Sequence, residues 1–243
     1  MSPGITAATM VRVLQQIRHD PRTIALLLVV PAALLWLLQE MLGDAAFDRL
    51  GAPMVGLFPF ITMFLVTSIA MLRERTSGTL ERLMTMPLAK LDLLGGYAIA
   101  FALLATLQAL ITSATAFALL GLDTAGGTGL VILLAVLNAV LGSALGLLAS
   151  AFAATEFQAV QFMPALVLPQ ILLCGLLVPR SQMSGWLDAV ASVLPLTFAY
   201  DALHAVSVDG DDLSGVAGEL AVVIAFIAAG IALAALTLRR RTA

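Results

Sequence analysis

Two histidines, one cysteine and one lysine are the side chains in this 243-residue chain best suited to catalysis or metal binding, and their spacing supports neither. His19 and His204 lie at opposite ends of the sequence. A zinc site needs several nitrogen or sulfur ligands brought together, and a metalloprotease helix needs two histidines one turn apart. Cys174 stands alone in an apolar run, which excludes an intrachain disulfide or a multi-cysteine metal site and reads as a small buried residue. Lys90 follows Pro87-Leu88-Ala89, not the glycine-rich turn that cradles nucleotide phosphates. No catalytic residue and no metal site is assigned, and the chain reads as a non-enzyme.

The remaining candidate chemistry is recognition, in the stretch Glu74 to Pro87, ERTSGTLERLMTMP, between two long apolar segments. Ser77-Gly78 would cap a new helix, and Glu81 in its first turn suits the positive end of the helix dipole. Pro87 would stop that helix. Leu80, Leu83 and Met84 share one face at i, i+3, i+4 spacing, with Glu81, Arg82 and Thr85 on the rest. Such a helix could fill a groove on a partner or simply rest on a membrane, and spacing does not choose between them.

Composition decides what surrounds this stretch. Of all residues 61% are hydrophobic and 11% charged, against roughly 25% charged in soluble domains. An all-α integral membrane protein of one domain, 1–243, is expected. The net charge of −3 carries no basic cluster fit for a nucleic-acid backbone.

Along the chain, residues 1–22 form an amphipathic helix with Met10, Val13, Leu14 and Ile17 on one face, expected to lie at the membrane interface; no removable signal peptide is read. Spans are expected at 23–40, 53–72, 93–120, 128–152, 158–178 and 219–238, each an uncharged run near or above the length needed to cross about 30 Å of hydrocarbon. Gly43 to Pro53 reads as an acidic loop, 74–88 as the helix between the second and third spans, and Gly126-Gly127 as a tight turn. Residues 181–206, with Trp186, Pro195, Tyr200 and Asp201, contain an apolar run too short to cross and read as a re-entrant helical hairpin.

Basic residues in short loops face the cytoplasm. With six spans, Arg12, Arg18, Arg22, Arg73, Arg75, Arg82, Lys90 and Arg239 to Arg241 share one side, against Arg49 and Arg180 on the other. Both termini are therefore expected in the cytoplasm and the hairpin outside. Acids fall at span boundaries or in loops, where a proton-driven carrier or an intramembrane protease would place them deep in the bilayer.

Several polar or small residues lie within the spans: Gln108, Thr112, Ser113, Asn138, Gly142, Ser143 and Gly146. They would line a path or pack helices, and Gly142 and Gly146 form a GxxxG pattern suited to close approach. Gln158, Gln161 and Gln170, around the fifth span, would bond between helices or face a path, because an unpaired buried amide costs free energy.

The run Glu74-Arg75-Thr76-Ser77-Gly78-Thr79-Leu80-Glu81-Arg82-Leu83 with Pro87 resembles the motif of type-2 ATP-binding-cassette (ABC) exporter permeases. Leu194 to Leu203, LPLTFAYDAL, is similar to the segment before the last span in that family, and Gly175, Pro179 and Trp186-Leu187 are similarly placed. Thr76-Ser77 and His204 depart from the common pattern. The resemblance, which extends to antibiotic efflux permeases of the daunorubicin-resistance type, implies a bacterial plasma-membrane exporter of drugs, lipids or other amphiphiles. It implies two copies of a separate ATPase, which would bind ATP and magnesium, and a second, identical or homologous, permease chain. The docking set it implies is Glu74, Arg75, Gly78, Thr79, Leu80, Glu81, Arg82, Leu83, Met84 and Pro87, with no cofactor in this chain. An ATPase-independent channel or carrier is the alternative.

Overall fold

The structure, a computed structural model, describes residues 3–78 and 90–237 and contains no strand among them. The chain opens with α1 (Pro3–Arg18), whose Thr9, Val13 and Ile17 are buried at four-residue intervals. Met10 and Leu14 flank this stripe and pack on the core, so the apolar face read from the sequence is the face that docks. It crosses the start of α4 (Lys90–Ala114) where Gly96 sits: a Cβ there would lie 2.5 Å from the Thr9 Cβ. Only the missing side chain lets the two helices touch.

Among the described residues, six helices are long and apolar enough to cross a membrane. The first, α2 (Pro21–Leu42), is started by Asp20, whose carboxylate accepts from the backbone N–H of Arg22 and Thr23 at 3.1 and 3.3 Å and from the Thr23 hydroxyl at 2.8 Å. The Thr23 hydroxyl holds that carboxyl below the ordinary carboxylate range. A lowered folded-state value means that the cap stabilises above the unfolded value and is lost as pH falls through the folded one. Asp20→Ala is therefore expected to cost about 1 kcal/mol at neutral pH, read as a lower thermal midpoint. The gap to wild type should close on acidification below about pH 4; a gap independent of pH would contradict the cap.

A single residue, Gly43 at φ +71°, links α2 to α3 (Asp44–Thr76). This corrects the sequence reading of an acidic loop over 43–53, because residues 44–52 are helical. Phe47 on this turn is 1% exposed, Gly51 backs onto Leu122, and Asp48 accepts the Asp123 N–H at 3.0 Å. The acids that suggested a loop sit on the helix's wet side while its apolar side packs. At 33 residues, about 50 Å, α3 outruns the bilayer core and traverses the middle of the molecule.

α4 ends in a π-helical turn, Thr115–Leu119, and a short loop leads to α5 (Thr128–Ser150). α5 lies along α3 with no room between them. A Cβ on Gly142 would sit 2.3 Å from the Phe60 carbonyl oxygen, and one on Gly146 would sit 2.5 Å from that of Phe64. The GxxxG pair thus brings backbone against backbone, the contact at the centre of the bundle.

The fifth span is assembled from α6 (Glu156–Phe162), a π-helical turn at Met163–Val167 and α7 (Leu168–Leu173). Pro164 and Pro169 account for the irregularity, since each removes a helical donor. The helix stops at Leu173, earlier than the expected 178, because the chain turns at Gly175, φ +103°, with Tyr200 packed over it. α8 (Gly185–Ala191) and α9 (Pro195–His204, continued by a π-helical turn to Asp209) then meet at 90°. α10 (Ala217–Thr237) returns along α5, with Gly230 against Ala144. With all six of these helices crossing, α1 and the end of α10 share one face, called the α1 face below, and the α8–α9 pair falls on the far one.

Candidate functional site

Three consecutive residues at the α1-face end of α3 tie that end to five neighbouring helices. Glu74 is the centre. Its two carboxylate oxygens accept from Arg12 of α1 at 3.2 to 3.3 Å, its Oε1 accepts from the Gln16 amide at 2.9 Å, and its Oε2 accepts from the Tyr97 hydroxyl of α4 at 2.7 Å. The Arg12 guanidinium also donates to the Tyr97 oxygen and lies 5.6 Å from the ring centroid. The Glu74 side chain is 11% exposed and that of Arg12 31%, so the pair is largely screened from water and every acceptor is used.

Arg73 points the other way, bidentate to Glu156 at the start of α6 (2.7 and 3.1 Å) and 3.6 Å from Asp20 at the start of α2. These pairs are half exposed and contribute geometry more than energy. Arg75 donates to the Ser150 carbonyl at the end of α5, 2.9 Å away. Helix α3 then closes on Ser77, and Gly78, at φ +72°, turns the chain away. Ser77-Gly78 therefore ends α3, and the helix expected to start from it falls on residues outside those described. Residues 79–89, with Thr79, Leu80, Glu81, Arg82, Leu83, Met84 and Pro87 of the expected docking helix, lie outside the described residues.

Tyr97 and Gln16 carry no expectation from the sequence, and Arg12 enters there only through the distribution of basic residues. The signal that could have found Tyr97 is a lone tyrosine within two turns of the start of an apolar helix, facing a chain end rich in charge.

The polar residues expected to line a path or pack helices are mostly interior. Gln108 donates to the Thr62 hydroxyl of α3, Ser143 to the Ala139 carbonyl, and Thr112, Ser113 and Asn138 are buried among the same helices. Among the described residues, Gln108 Oε1, Ser113 Oγ and Asn138 Oδ1 have no hydrogen-bond partner. Gln158 caps its own helix start through the Ala154 N–H, and Gln161 is exposed. Gln170, 7% exposed, donates to Leu166 and accepts from the Leu196 N–H at 3.4 Å, bridging α7 to α9. It is the glutamine of the three that links two elements.

Below Gln170 a half-open cleft of about 670 Å³ runs between α5, α6, α7 and α10, lined by apolar side chains that include Leu148, Phe152, Phe162 and Leu233. On the far face Arg180 bonds Asp188 (2.8 Å) and Asp201 (3.3 Å), clamping the α8–α9 corner; Trp186 is exposed and Pro195 buried.

Among the described residues, six helices able to cross a membrane, a polar hub at the end of the central one and a bent helical pair define an all-α fold of the polytopic membrane class. The model of the ABC-2 type transporter family matches residues 6–207, and the chain belongs to that family. It is 26% identical over 163 residues to ABC transporter G family member 20 of Dictyostelium discoideum, covering 67% of this chain and 22% of that protein. It is 29% identical over 143 residues to the probable multidrug ABC transporter permease YbhR of Escherichia coli (strain K12), covering 59% of this chain and 39% of that one. The matched region is well under half the length of these relatives. The family makes the chain a multi-pass membrane component of an ABC transporter.

Proposed function

We propose that the chain is the permease of an ATP-driven exporter that moves a drug, lipid or other amphiphile out of the cytoplasm or inner leaflet. A separate ATPase, in two copies, docks on the segment from Glu74 to Pro87 and binds the ATP and magnesium. A second permease chain completes the membrane pore. The α1 face is cytoplasmic, a reading supported by the distribution of arginine, and α8–α9 is a re-entrant hairpin on the outer side.

The observation that carries this reading is the hub at Arg73, Glu74 and Arg75. A docking segment is useful only if force applied to it moves the spans, and its root is here bonded to α1, α2, α4, α5 and α6. Nucleotide would then bias two arrangements of the bundle because the docked ATPase interacts differently with each. Leu80, Leu83 and Met84 are the apolar anchors, with Glu81 and Arg82 at the rim. YbhR is a probable multidrug permease, which agrees with an amphiphilic cargo.

The test is purification with any ABC ATPase found encoded beside this chain, followed by a screen of drugs and lipids for stimulated hydrolysis. Glu81→Ala and Leu83→Asp are each expected to abolish that stimulation while the permease still inserts. Unchanged stimulation in both would remove the docking role, and the absence of any copurifying ATPase would favour an ATPase-independent channel or carrier.

A further inference from the structure

Beside the hub, where α1 reaches α3 through Arg12 and Gln16, lies a second half-open cavity of about 150 Å³, walled by α1, the start of α2, α3 and α4. An apolar cavity of about this size holds a benzene ring. Its floor is apolar, formed by Val13 and Ile17 of α1, Ile69 and Ala70 of α3 and Phe101 of α4. Phe101 stacks on Tyr97 with 6.5 Å between ring centroids, which gives the cavity an aromatic wall. Gln16, Asp20 and Arg73 form its rim, and Gln16 and Arg73 are exposed. The shape suits a ligand with a ring inside and a polar end toward water.

The hydrogen-bonding groups of the rim decide which polar end. Both Glu74 oxygens are taken by Arg12, Gln16 and Tyr97. Asp20 accepts from two backbone N–H groups and from the Thr23 hydroxyl. Neither carboxylate keeps an oxygen free for an ammonium group, and both repel an anion. Arg73 spends Nε and Nη2 on Glu156, while its Nη1 stands 3.6 Å from Asp20, near enough to pair but too far for a hydrogen bond. The Gln16 amide nitrogen donates to Glu74, and its carbonyl oxygen has no hydrogen-bond partner among the described residues. One spare donor and one spare acceptor are the complement of a hydroxyl, which accepts and donates at the same oxygen.

We propose that this cavity binds a small uncharged phenol or aromatic alcohol, its ring against Phe101 and its hydroxyl between Arg73 and Gln16. The site is separate from the larger cleft below Gln170, and an occupant braces α1 against α3 at the root of the segment that leaves α3. Neither an ATPase nor transport enters the argument, so the proposal stands or falls apart from the reading above.

The full-length chain in nanodiscs would be titrated with para-fluorophenol and followed by fluorine NMR, with empty nanodiscs measured alongside to subtract partitioning into lipid. Saturable binding is expected, about tenfold tighter than that of fluorobenzene, because a hydrogen bond to a charged group separates the two probes. The anion para-fluorobenzoate and the cation para-fluorobenzylammonium should not compete. Arg73→Met should bring para-fluorophenol down to the level of fluorobenzene while fluorobenzene binds as before. Ala70→Leu, which fills the cavity, should remove both; if that protein does not elute as wild type, Ile69→Phe fills the same space. Ala229→Phe, in the larger cleft, should change nothing. Equal binding of the two probes by wild type would overturn the proposal, as would an unchanged preference in Arg73→Met. So would binding that survives filling of the cavity, or binding lost in Ala229→Phe, which would place the ring in the other cleft.

Discussion

Gly142→Leu is expected to abolish recovery of folded, monodisperse permease from the membrane. The hydrogen at this position faces the Phe60 carbonyl oxygen, and even a methyl group would stand 2.3 Å from it and 2.9 Å from the Phe60 Cα. Where a large side chain meets another side chain, rotamers can yield; here the obstacle is main chain, so α3 and α5 must separate. Overpacking costs about 1–3 kcal/mol and occasionally more. Leucine at Gly142 belongs at or above the top of that range, because separation also exposes the buried residues Phe60, Phe64 and Leu141. Gly142→Ala should lie lower in the same range and show as a reduced thermal midpoint. Gly129, on the same helix, has nothing within 4 Å of its would-be Cβ, and Gly129→Ala should be silent. A Gly142→Leu protein eluting as wild type would sink the close-packing account.

The second large effect is expected at Glu74. Removing its carboxylate in Glu74→Ala leaves the partly buried Arg12 guanidinium and the Tyr97 hydroxyl without their anion. Hydrogen bonds to charged groups contribute about 1.5–3 kcal/mol. With Arg12 a third exposed, water recovers part of the loss, and about 2 kcal/mol is the expected destabilisation. The distinctive readout is a double-mutant cycle of Arg12→Ala with Glu74→Ala. The two changes should be non-additive by well over the roughly 0.5 kcal/mol that independent sites show. Tyr97→Phe, which keeps the ring and deletes one bond, should cost about 1 kcal/mol. In complex with the ATPase proposed above, Glu74→Ala should also uncouple hydrolysis from cargo, since α1 and α4 would no longer follow α3. Full additivity together with normal stimulated hydrolysis would leave the hub without a role.

Much of this fold is visible in the sequence because a bilayer imposes a simple rule: an uncharged run long enough to cross is a span. Asp123, Glu156, Arg18, Arg22, Arg73 and Arg75 lie within a few residues of where helices do end or start. The rule fails where charge and helix coexist. Asp44, Asp48 and Arg49 read as a loop, yet they occupy the wet side of a helix whose other side holds Phe47. It fails again after Leu173, where an apolar sequence is not helical because Gly175 and Pro179 bend it.

The GxxxG contact was legible because two glycines four residues apart have few other uses in a span. The hub was only half legible. Glu74 stood out by its charge, but its partners lie 62, 58 and 23 residues away on two other helices. No local pattern reports which distant side chain fills a carboxylate's second lone pair. Similarly, the three glutamines of the fifth span look alike in sequence, and only the position of α9 makes Gln170 a bridge.

One mechanical consequence follows from where α3 is held. Phe60 is the central residue of this helix, with sixteen residues on either side, and its carbonyl is the point pressed against Gly142. The Gly146 contact with Phe64 one turn on makes this grip a line and not a point, and Pro59 beside it leaves a helical hydrogen bond unmade. The hub half of α3 is therefore clamped along α5, and a bend of the helix is easiest on the Asp44 side of that clamp.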